Sequence, residues 1–323
     1  MNCSVEPVEG MDSDIFASTT GATIFTVYFF FMCICSIIEN TIILVTIILV
    51  KRLHKRRHIL IFNLALTDLM AGFIYPCSVI YNKNYTESMS FIVGISSVFT
   101  IFAIATERFL KIVVFTKSRN AHIGTTRQLV GVSAAAWMIP FVILLPIIIY
   151  DYNLHLLVFL IFEPVCIFVV MAGISVLYLA IYVKIRSHEK RMSTNLNRSE
   201  NYNLTKLVLK AYVVLVAVYA VCWLPWAIEC IRITYTTFFK IDEEESTCIG
   251  STTLLFYIGV GMSLLNSALN PIIYWLRLPD FREGISELFE CCKKGYRPIC
   301  CFKRAPVVEN SGSQNTTSSN LTR

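Results

Sequence analysis

Charged residues are scarce in this chain of 323 residues. Asp, Glu, Lys and Arg make up 15% of it, whereas 55% of the residues are hydrophobic. Soluble globular proteins carry about 25% charged residues, and the mean hydropathy of this chain is +0.62. The length alone would allow two soluble domains, but the composition lies far outside the soluble range. The lipid bilayer is therefore the expected solvent.

Residues typical of enzyme sites are also few. The five histidines, at positions 54, 58, 122, 155 and 188, fall at helix ends or in loops, and no metal-binding or phosphate-binding motif is present. This pattern argues against an enzyme. No internal repeat of the kind common in transporters is visible either, which leaves a polytopic transporter as a weak alternative.

Long apolar runs are what the sequence has instead. Each is about 20 residues or longer, enough to cross a hydrocarbon core of about 30 Å as a helix. The runs lie approximately at 23–50, 59–81, 88–114, 129–150, 154–183, 208–234 and 252–276. The sequence predicts an all-α membrane protein, a bundle of seven transmembrane helices.

The distribution of charge in the loops predicts the orientation of the bundle. Lys and Arg are retained on the cytoplasmic side, and here they cluster in 51–58 and along 277–304. The opposite side carries acids, including the run 242–245. We therefore expect an extracellular amino terminus and a cytoplasmic carboxyl terminus. The net charge of +6 then reflects topology, and nucleic acid is not an expected partner.

Three segments follow from this topology: an extracellular segment 1–22, a transmembrane domain 23–276 and a cytoplasmic segment 277–323. The first segment has no basic region followed by an apolar core, so we expect the first helix to direct its own insertion. Asn2 and Asn84 lie in glycosylation sequons on the outer side.

Twelve cysteines do not form a disulfide framework, because most lie in helices or on the reducing side. Cys3 and Cys248 are both expected outside, where a disulfide between them and a pair of free thiols are equally compatible with the sequence. Cys291 and Cys292 follow the last span on the inner side. Juxtamembrane cysteines are common S-acylation sites, so we expect palmitoylation there, with free thiols as the alternative.

Polar residues inside the apolar runs are costly and therefore candidates for function. They occur as Glu39-Asn40, Asn63 to Asp68, Glu107-Arg108-Phe109, Trp137, Cys222-Trp223-Leu224-Pro225 and Asn266 to Tyr274. In this order, on seven apolar spans, the set resembles the rhodopsin-like G-protein-coupled receptors from the first helix to the cytoplasmic tail. The resemblance implies a plasma-membrane receptor that binds an extracellular ligand and activates a heterotrimeric G protein. It leaves arrestin open as a second cytoplasmic partner.

An acid in the middle of a membrane helix needs a cation, a proton or several hydrogen-bond donors. Asp68 is such an acid. Ser97, Asn266 and Asn270 stand at the positions that complete a sodium pocket in similar receptors. The resemblance thus implies a structural sodium ion that favours the inactive packing, and no other cofactor; a purely structural hydrogen-bonded cluster is the alternative.

Arg108 is expected at the cytoplasmic mouth of the third helix, where it can pair with Glu107 or turn toward a partner. Phe109 replaces the tyrosine usual in this motif. The acid that often restrains this arginine from the base of the sixth helix is absent, since Thr205 and Lys206 occupy that region. We therefore expect appreciable ligand-independent activity.

Pro225 and Pro271 interrupt the sixth and seventh helices and are predicted to act as hinges. The resemblance implies that an agonist presses on Trp223 and moves the inner half of the sixth helix outward, which opens a crevice for the G protein. It also implies that Tyr178 and Tyr274 stabilise the open state.

A short amphipathic eighth helix is predicted after the seventh. Asp280 and Glu283 have the spacing of a capping box. An apolar stripe suited to the inner leaflet follows, formed by Phe281, Ile285, Leu288 and Phe289.

Departures from the common pattern narrow the branch. Lys83 stands where the third helix usually starts with a cysteine, and the short second outer loop at 151–153 has no cysteine. The usual fifth-helix proline is replaced by Val170. Together with Glu39-Asn40, these features resemble the melanocortin group, within its cluster with adenosine, cannabinoid and lysophospholipid receptors.

The ligand does not follow from the branch. Of the three acids that bind calcium and peptide in melanocortin receptors, the matching positions Ser78, Lys83 and Glu87 retain one. Cys230 replaces the asparagine of adenosine receptors, and Ser90 the aspartate of amine receptors. A retinal ligand is excluded, because the seventh span has no lysine for a Schiff base.

Acids dominate the expected outer cavity. Glu87, Glu163 and Glu229 remain there, below the acidic run 242–245. These charges favour a cationic small molecule or a basic peptide, with Ser90 and Trp223 completing the predicted pocket. A lipid or a nucleoside is the alternative ligand class.

Overall fold

The structure is a computed structural model that describes residues 19–81, 84–114, 124–150, 158–191, 199–238 and 254–293. Eight α-helices run through these residues. They are α1 (Thr19–Leu49), α2 (Ile59–Tyr81), α3 (Asn84–Phe109), α4 (Thr126–Tyr150), α5 (Glu163–Arg191), α6 (Ser199–Phe238), α7 (Leu254–Arg277) and α8 (Pro279–Lys293). Two 3₁₀ turns, Lys51–Leu53 and Arg56–His58, connect α1 to α2. Single π-helical turns follow α3 at Leu110–Val114 and precede α5 at Val158–Phe162.

Seven of the described helices, α1 to α7, are long and apolar enough to cross a membrane. Only a helix satisfies all of its backbone polar groups within one segment, so an isolated apolar run in lipid folds this way. The predicted seven-helix bundle is confirmed, with the short eighth helix after it.

The α3 helix is the central element of the bundle. Of the 18 most apolar consecutive residues of α3, 67% are buried inside the protein, whereas the share is 22% in α4 and in α5. Large apolar side chains such as Phe141 on α4 and Val176 on α5 are exposed at the perimeter, where the hydrocarbon chains of lipid would cover them. The polar residues of α3 are therefore the ones placed to connect the other helices.

Asn63 links three helices through its side-chain amide. It donates from Nδ2 to the hydroxyl of Thr100 on α3 at 2.7 Å, and its Oδ1 accepts the indole N–H of Trp137 on α4 at 3.0 Å. Hydrogen bonds between helices help to position them in a membrane, although each contributes only about 0.6 kcal/mol on average. This bond set fixes α2, α3 and α4 side by side.

The α6 and α7 helices approach each other closely at Gly259. A methyl group added to Gly259 would lie 2.9 Å from Cα and 3.0 Å from the backbone nitrogen of Trp226. Both atoms belong to the backbone and cannot rotate away. Glycine is thus required for the distance between α6 and α7 beside Pro225.

The carboxyl-terminal end of α5 and the amino-terminal end of α6 extend beyond the apolar runs that predicted them. The fifth run ends at 183 and the sixth begins at 208, whereas α5 continues to Arg191 and α6 begins at Ser199. Hydropathy marks the part of a helix that lies in hydrocarbon, and these extra turns are polar. At the other end, α1 begins at Thr19, one turn before the predicted position.

The α8 helix is amphipathic, as predicted, and lies against the loop that connects α1 to α2. Phe281 is fully buried and stacks edge-on against His58 at a ring distance of 5.1 Å. Phe289, on the same predicted stripe, is 52% exposed. The start of the stripe therefore packs against protein, whereas the end of the stripe is an exposed apolar face.

The predicted capping box of α8 is wrong. Asp280 binds Lys55 at 3.1 Å and also Arg57, while the backbone N–H groups of Phe281 and Arg282 donate to the carbonyl of Leu278 at 3.0 and 3.2 Å. Glu283 pairs with Arg52 of the same loop. Cations from the loop are stronger partners for a carboxylate than neutral backbone donors, so both acids connect two elements instead of capping one.

Candidate functional site

Glu163 is a buried carboxylate in the first turn of α5, with 4% of its surface exposed. The indole N–H of Trp226 on α6 donates to its Oε2 across 3.3 Å. Trp226 in turn stacks edge-on against Phe256 of α7. One acid therefore sits among aromatic side chains where α5, α6 and α7 meet.

Gly94 on α3 leaves space in front of this acid. A methyl group at Gly94 would lie 3.8 Å from Oε1 of Glu163, 3.9 Å from the hydroxyl of Tyr75 and 3.5 Å from the ring of Trp223. These are ordinary contact distances, so a small group fits between the three side chains. The tryptophan predicted to act as the switch is thus a direct neighbour of the space beside Glu163.

Glu229 is also buried, at 1% exposure, but its charge is already compensated. Arg232, one turn further along α6, donates to both carboxylate oxygens at 2.7 and 2.8 Å. A bidentate pair of this kind is close to neutral as seen from a ligand. Sequence reasoning named Glu229 and missed Arg232, although opposite charges three residues apart on a helix are a readable signal.

Asp68 lies at the centre of the inner polar cluster, 1% exposed. The amide of Asn270 on α7 donates to its Oδ2 at 2.7 Å, and the hydroxyl of Ser267 hydrogen-bonds the same carboxylate. On the α1 side, Ser36 donates to the backbone carbonyl of Asp68 at 3.0 Å, and Asn40 donates to the carbonyls of Ser36 and Ser267. The cluster ties α1, α2 and α7 together.

Three buried oxygens of the predicted sodium set have no hydrogen-bond partner among the described residues. They are Oγ of Ser97, Oδ1 of Asn266 and Oδ1 of Asn270. Buried acceptors left in this way cost free energy unless a cation or a water satisfies them. The described residues hold no group of three or more His, Cys, Asp or Glu arranged for a metal ion. One carboxylate together with neutral oxygens is the kind of ligand set that hard cations prefer.

The third helix ends in a compact ionic group. Nε of Arg108 lies 3.3 Å from Oε2 of Glu107, and Lys111 pairs with Oε1 of the same carboxylate. Glu107 is buried at 6% of its side-chain surface, and Arg108 is mostly buried at 13%. Phe109 packs against the main hydrophobic core. The predicted contact between Glu107 and Arg108 is present, whereas Lys111 was not foreseen.

The predicted switch aromatics are all buried in one core. Trp223 is 5% exposed and lies at a ring distance of 5.8 Å from Tyr219, while Tyr178 and Tyr274 are 8% and 1% exposed. Pro225 and Pro271 lie inside α6 and α7, where each removes a backbone hydrogen bond. The prolines thus lie along α6 and α7 between the level of Glu163 and the end of the bundle that carries α8.

A family model gives independent information on this arrangement. The 7 transmembrane receptor (rhodopsin family) model matches residues 39–274, which covers every polar cluster described above. The chain belongs to the rhodopsin family of seven-transmembrane receptors. The receptor is therefore a multi-pass protein of the plasma membrane that works with an extracellular ligand and a G protein. The family is one of receptors and not of enzymes.

Several curated proteins are similar to the receptor over most of its length. Sphingosine 1-phosphate receptor 1 of Danio rerio is 24% identical, across 82% of this chain and 78% of its own length. Sphingosine 1-phosphate receptor 2 of Homo sapiens is 25% identical, across 86% and 79%. Melanocortin receptor 5 of Pan troglodytes is 24% identical, across 84% and 85%. The predicted kinship with lysophospholipid and melanocortin receptors is confirmed.

Some predicted site residues of the receptor lie outside what the structure describes. Asn2, Cys3 and Cys248 fall outside the described residues. For Asn84 and Glu87 in α3, and for Cys291 and Cys292 in α8, the structure describes the backbone and not the side chain. Ser90 is half-buried on α3. Their roles in glycosylation, acylation, disulfide formation and ligand binding stay predictions.

Proposed function

We propose that the receptor binds a cationic ligand with an apolar body at Glu163 and passes the signal to a heterotrimeric G protein by outward movement of α6. The observation that carries this proposal is the position of Glu163. It is a buried acid bonded to Trp226 on α6 and adjacent, through the space at Gly94, to Trp223. A ligand bound there contacts α6 directly beside Pro225.

The charge of the ligand follows from the charges around the cavity. Arg232 is the one basic residue among the described outer ends of the helices, and it is held by Glu229. Among the acids of this part whose side chains the structure describes, Glu163 has no basic partner. A buried charge is stable only when paired, so a cation on the ligand would complete the site. Trp226 and Tyr75 add aromatic surface that attracts cations.

The relatives support an amphiphilic ligand within this class. Two of them are named for sphingosine 1-phosphate, a lipid that carries an amine as well as a phosphate. A phosphate requires Arg or Lys partners, and the described outer ends offer no cation other than the pair of Arg232 with Glu229. We therefore favour an amine with an apolar tail, and keep the phosphorylated lipid as the second candidate because the relatives point to it. A basic peptide would use the same acid.

We further propose that a sodium ion occupies the inner cluster and favours the inactive packing. The unpartnered oxygens of Ser97, Asn266 and Asn270 support this assignment, together with the carboxylate of Asp68. An ion that binds the inactive packing more tightly shifts the equilibrium toward it. Loss of the ion would free Asn270 and Asp68 to rearrange as α7 moves.

The cytoplasmic part of the proposal assigns Arg108 to the contact with the G protein. Release of Arg108 from Glu107, rotation about Pro225, and repositioning of Tyr178 and Tyr274 would open the inner end of the bundle. The topology that follows has the amino terminus outside and α8 on the inner leaflet, anchored by acylation of Cys291 and Cys292. Arrestin is a further partner that this arrangement would admit.

The coupling can be tested before a ligand is known. We expect agonist-independent production of cAMP or calcium in cells that express the chain, and loss of that signal in Arg108→Ala at equal surface expression. Equal signals from both proteins in every G-protein assay would contradict the coupling. A screen of lipid amines, lysophospholipids, nucleosides and basic peptides then distinguishes the ligand classes. A response to phosphorylated lipids alone would favour the second candidate.

A further inference from the structure

The carboxylate of Glu107 is shared between two cations. Its Oε2 lies 3.3 Å from Nε of Arg108, in a contact that lacks the alignment of a hydrogen bond, and its Oε1 pairs with Nζ of Lys111. The carboxylate is 6% exposed, so bulk water screens neither contact strongly. Glu107 is the buried acid that restrains Arg108, and Lys111 therefore shares this acid with Arg108.

The surroundings of Lys111 hold it in this position. It belongs to the π-helical turn Leu110–Val114 that continues α3, and π turns are concentrated at functional sites. Gly124 of the following loop lies directly against it, because a methyl group there would sit 3.1 Å from Cε and 3.4 Å from Nζ. The φ of Gly124 is +75°, a conformation that favours glycine.

The loop beside Lys111 is itself fixed by hydrogen bonds. The side-chain oxygen of Gln128 accepts hydrogen bonds from the backbone N–H groups of Gly124 and Thr125 at 3.0 and 3.1 Å. In return, the backbone N–H of Gln128 donates to the hydroxyl of Thr125 at 3.3 Å. This reciprocal cap at the start of α4 positions the loop against α3. The contact between Lys111 and Glu107 is thus supported from two helices.

We propose that Lys111 is a positioning residue that sets the basal activity of the receptor by keeping Glu107 paired when Arg108 leaves it. The inference rests on the proposed coupling through Arg108. With Arg108 as the sole cation, its departure would leave a buried carboxylate unpaired, which is strongly destabilising. With Lys111 on the other oxygen, the acid stays paired in both states. Lys111 therefore lowers the cost of activation and raises the active population without ligand.

The test compares nucleotide exchange by purified G proteins on membranes that contain the full-length chain without ligand. Lys111→Met should lower basal exchange by roughly threefold or more, the scale of coupling within one charge network. Lys111→Arg should restore most of the loss, since it returns a cation to the same place. Glu107→Gln should raise exchange, and Lys111→Met added to it should have no further effect. Arg282→Met, which removes an exposed cation on α8, serves as the charge-matched control.

Three outcomes would overturn the proposal. They are unchanged or raised exchange in Lys111→Met, a decrease equal to that of the Arg282→Met control, and an equal decrease in the Glu107→Gln background, which would mean that Lys111 contacts the G protein itself. Absence of exchange in every variant, Glu107→Gln included, would contradict the proposed coupling instead.

A second measurement decides on Lys111 without a G protein. Energy transfer between fluorophores placed at the exposed positions 54 in the first cytoplasmic loop and 210 on α6 reports the opening of the bundle. Lys111→Met should shift the distribution to shorter distances, and an unchanged distribution would overturn the proposal.

Discussion

Trp226 donates its indole N–H to Oε2 of Glu163 across 3.3 Å, which joins the first turn of α5 to α6 beside Pro225. A single neutral donor satisfies a small part of what a buried carboxylate requires. The remaining oxygen faces the space beside Gly94. This relationship connects the charge of the ligand to the helix that is proposed to move.

Glu163→Gln should separate charge from hydrogen bonding at this position. The amide oxygen of glutamine can still accept from Trp226, whereas the negative charge is lost. We expect the potency of a cationic agonist to fall by at least about tenfold, the lower end of effects for a buried charge contact. Dose–response curves of G-protein signalling at matched surface expression measure it. The double variant Glu229→Gln/Arg232→Gln is the control, because it removes an acid together with its own cation and leaves the net charge unchanged, and equal losses in both proteins would contradict the assignment.

Asp68→Asn should remove any dependence of agonist affinity on sodium. The substitution keeps the size of the side chain and deletes the charge that a monovalent ion needs. Agonist binding measured in sodium and in a bulky organic cation at equal ionic strength would differ for the unmodified receptor and coincide for the variant. Ser267→Ala removes a hydrogen bond to the same carboxylate without its charge and should retain the difference. Persistence of the sodium effect in Asp68→Asn would rule out the site.

Gly259→Ala should destabilise the bundle. The added methyl group would meet the backbone of Trp226 at 2.9 Å, so α7 must shift away from α6. We expect a loss of roughly 1–3 kcal/mol, the usual cost of overpacking, visible as a lower midpoint of thermal denaturation in detergent. Gly131→Ala on α4 is the matched control, since no atom lies within 4 Å of its methyl group. The same loss in both variants would refute the close contact.

Asp280→Asn should loosen α8 from the loop between α1 and α2 by about 1 kcal/mol, as expected for a partly exposed ion pair. Glu283→Gln, whose pair with Arg52 is more exposed, should change little. Burial alone would raise the pKa of Asp280, but the hydrogen bond from Lys55 and the charge of Arg57 outweigh it and hold the pKa below the usual value.

The sign of this pKa shift fixes the pH dependence of the contact. A lowered carboxyl pKa contributes stability that is present above the unfolded value of about 3.9 and is lost as the pH falls through the lower, folded value. The contribution of Asp280 to docking of α8, measured by hydrogen exchange of the backbone amides of α8, should therefore be constant near neutral pH and be lost only in strong acid. Buried His58, which stacks on Phe281 and lies 3.7 Å from Asp280, would account for a weakening that begins between about pH 7 and pH 5, because histidine takes up a proton in this range.

Much of the fold was readable from the sequence, because the bilayer allows so few solutions. An apolar run of about 20 residues in lipid must close its own hydrogen bonds, so seven runs predicted seven helices. Asp68, Arg108, Trp223 and Pro225 were identifiable because polar groups and prolines are conspicuous inside such runs. The ends of α5 and α6 were not, since those turns lie beyond the hydrocarbon and leave no apolar signal.

Local charge patterns in the sequence contain two ion pairs that were not predicted. The spacings of Glu107 to Lys111 and of Glu229 to Arg232 place opposite charges on one face of a helix, so both pairs could have been predicted. The bonds of Asp280 could not. Its capping role was a reasonable local expectation, and the competing partners Lys55 and Arg57 come from a loop more than 200 residues earlier in the chain.

The sequence by itself determined the seven-helix architecture and the receptor family, and it named the residues that are proposed for the inner switch, because apolar runs and the polar groups inside them can be read within one helix. The tertiary structure decided which acid is available to a ligand. Glu163 and Glu229 are the same residue type in the sequence. In the structure Arg232 neutralises Glu229, whereas Glu163 is bonded to Trp226 of α6 and lies beside the space at Gly94. Side chains on different helices meet according to the rotation and spacing of those helices, and packing sets both.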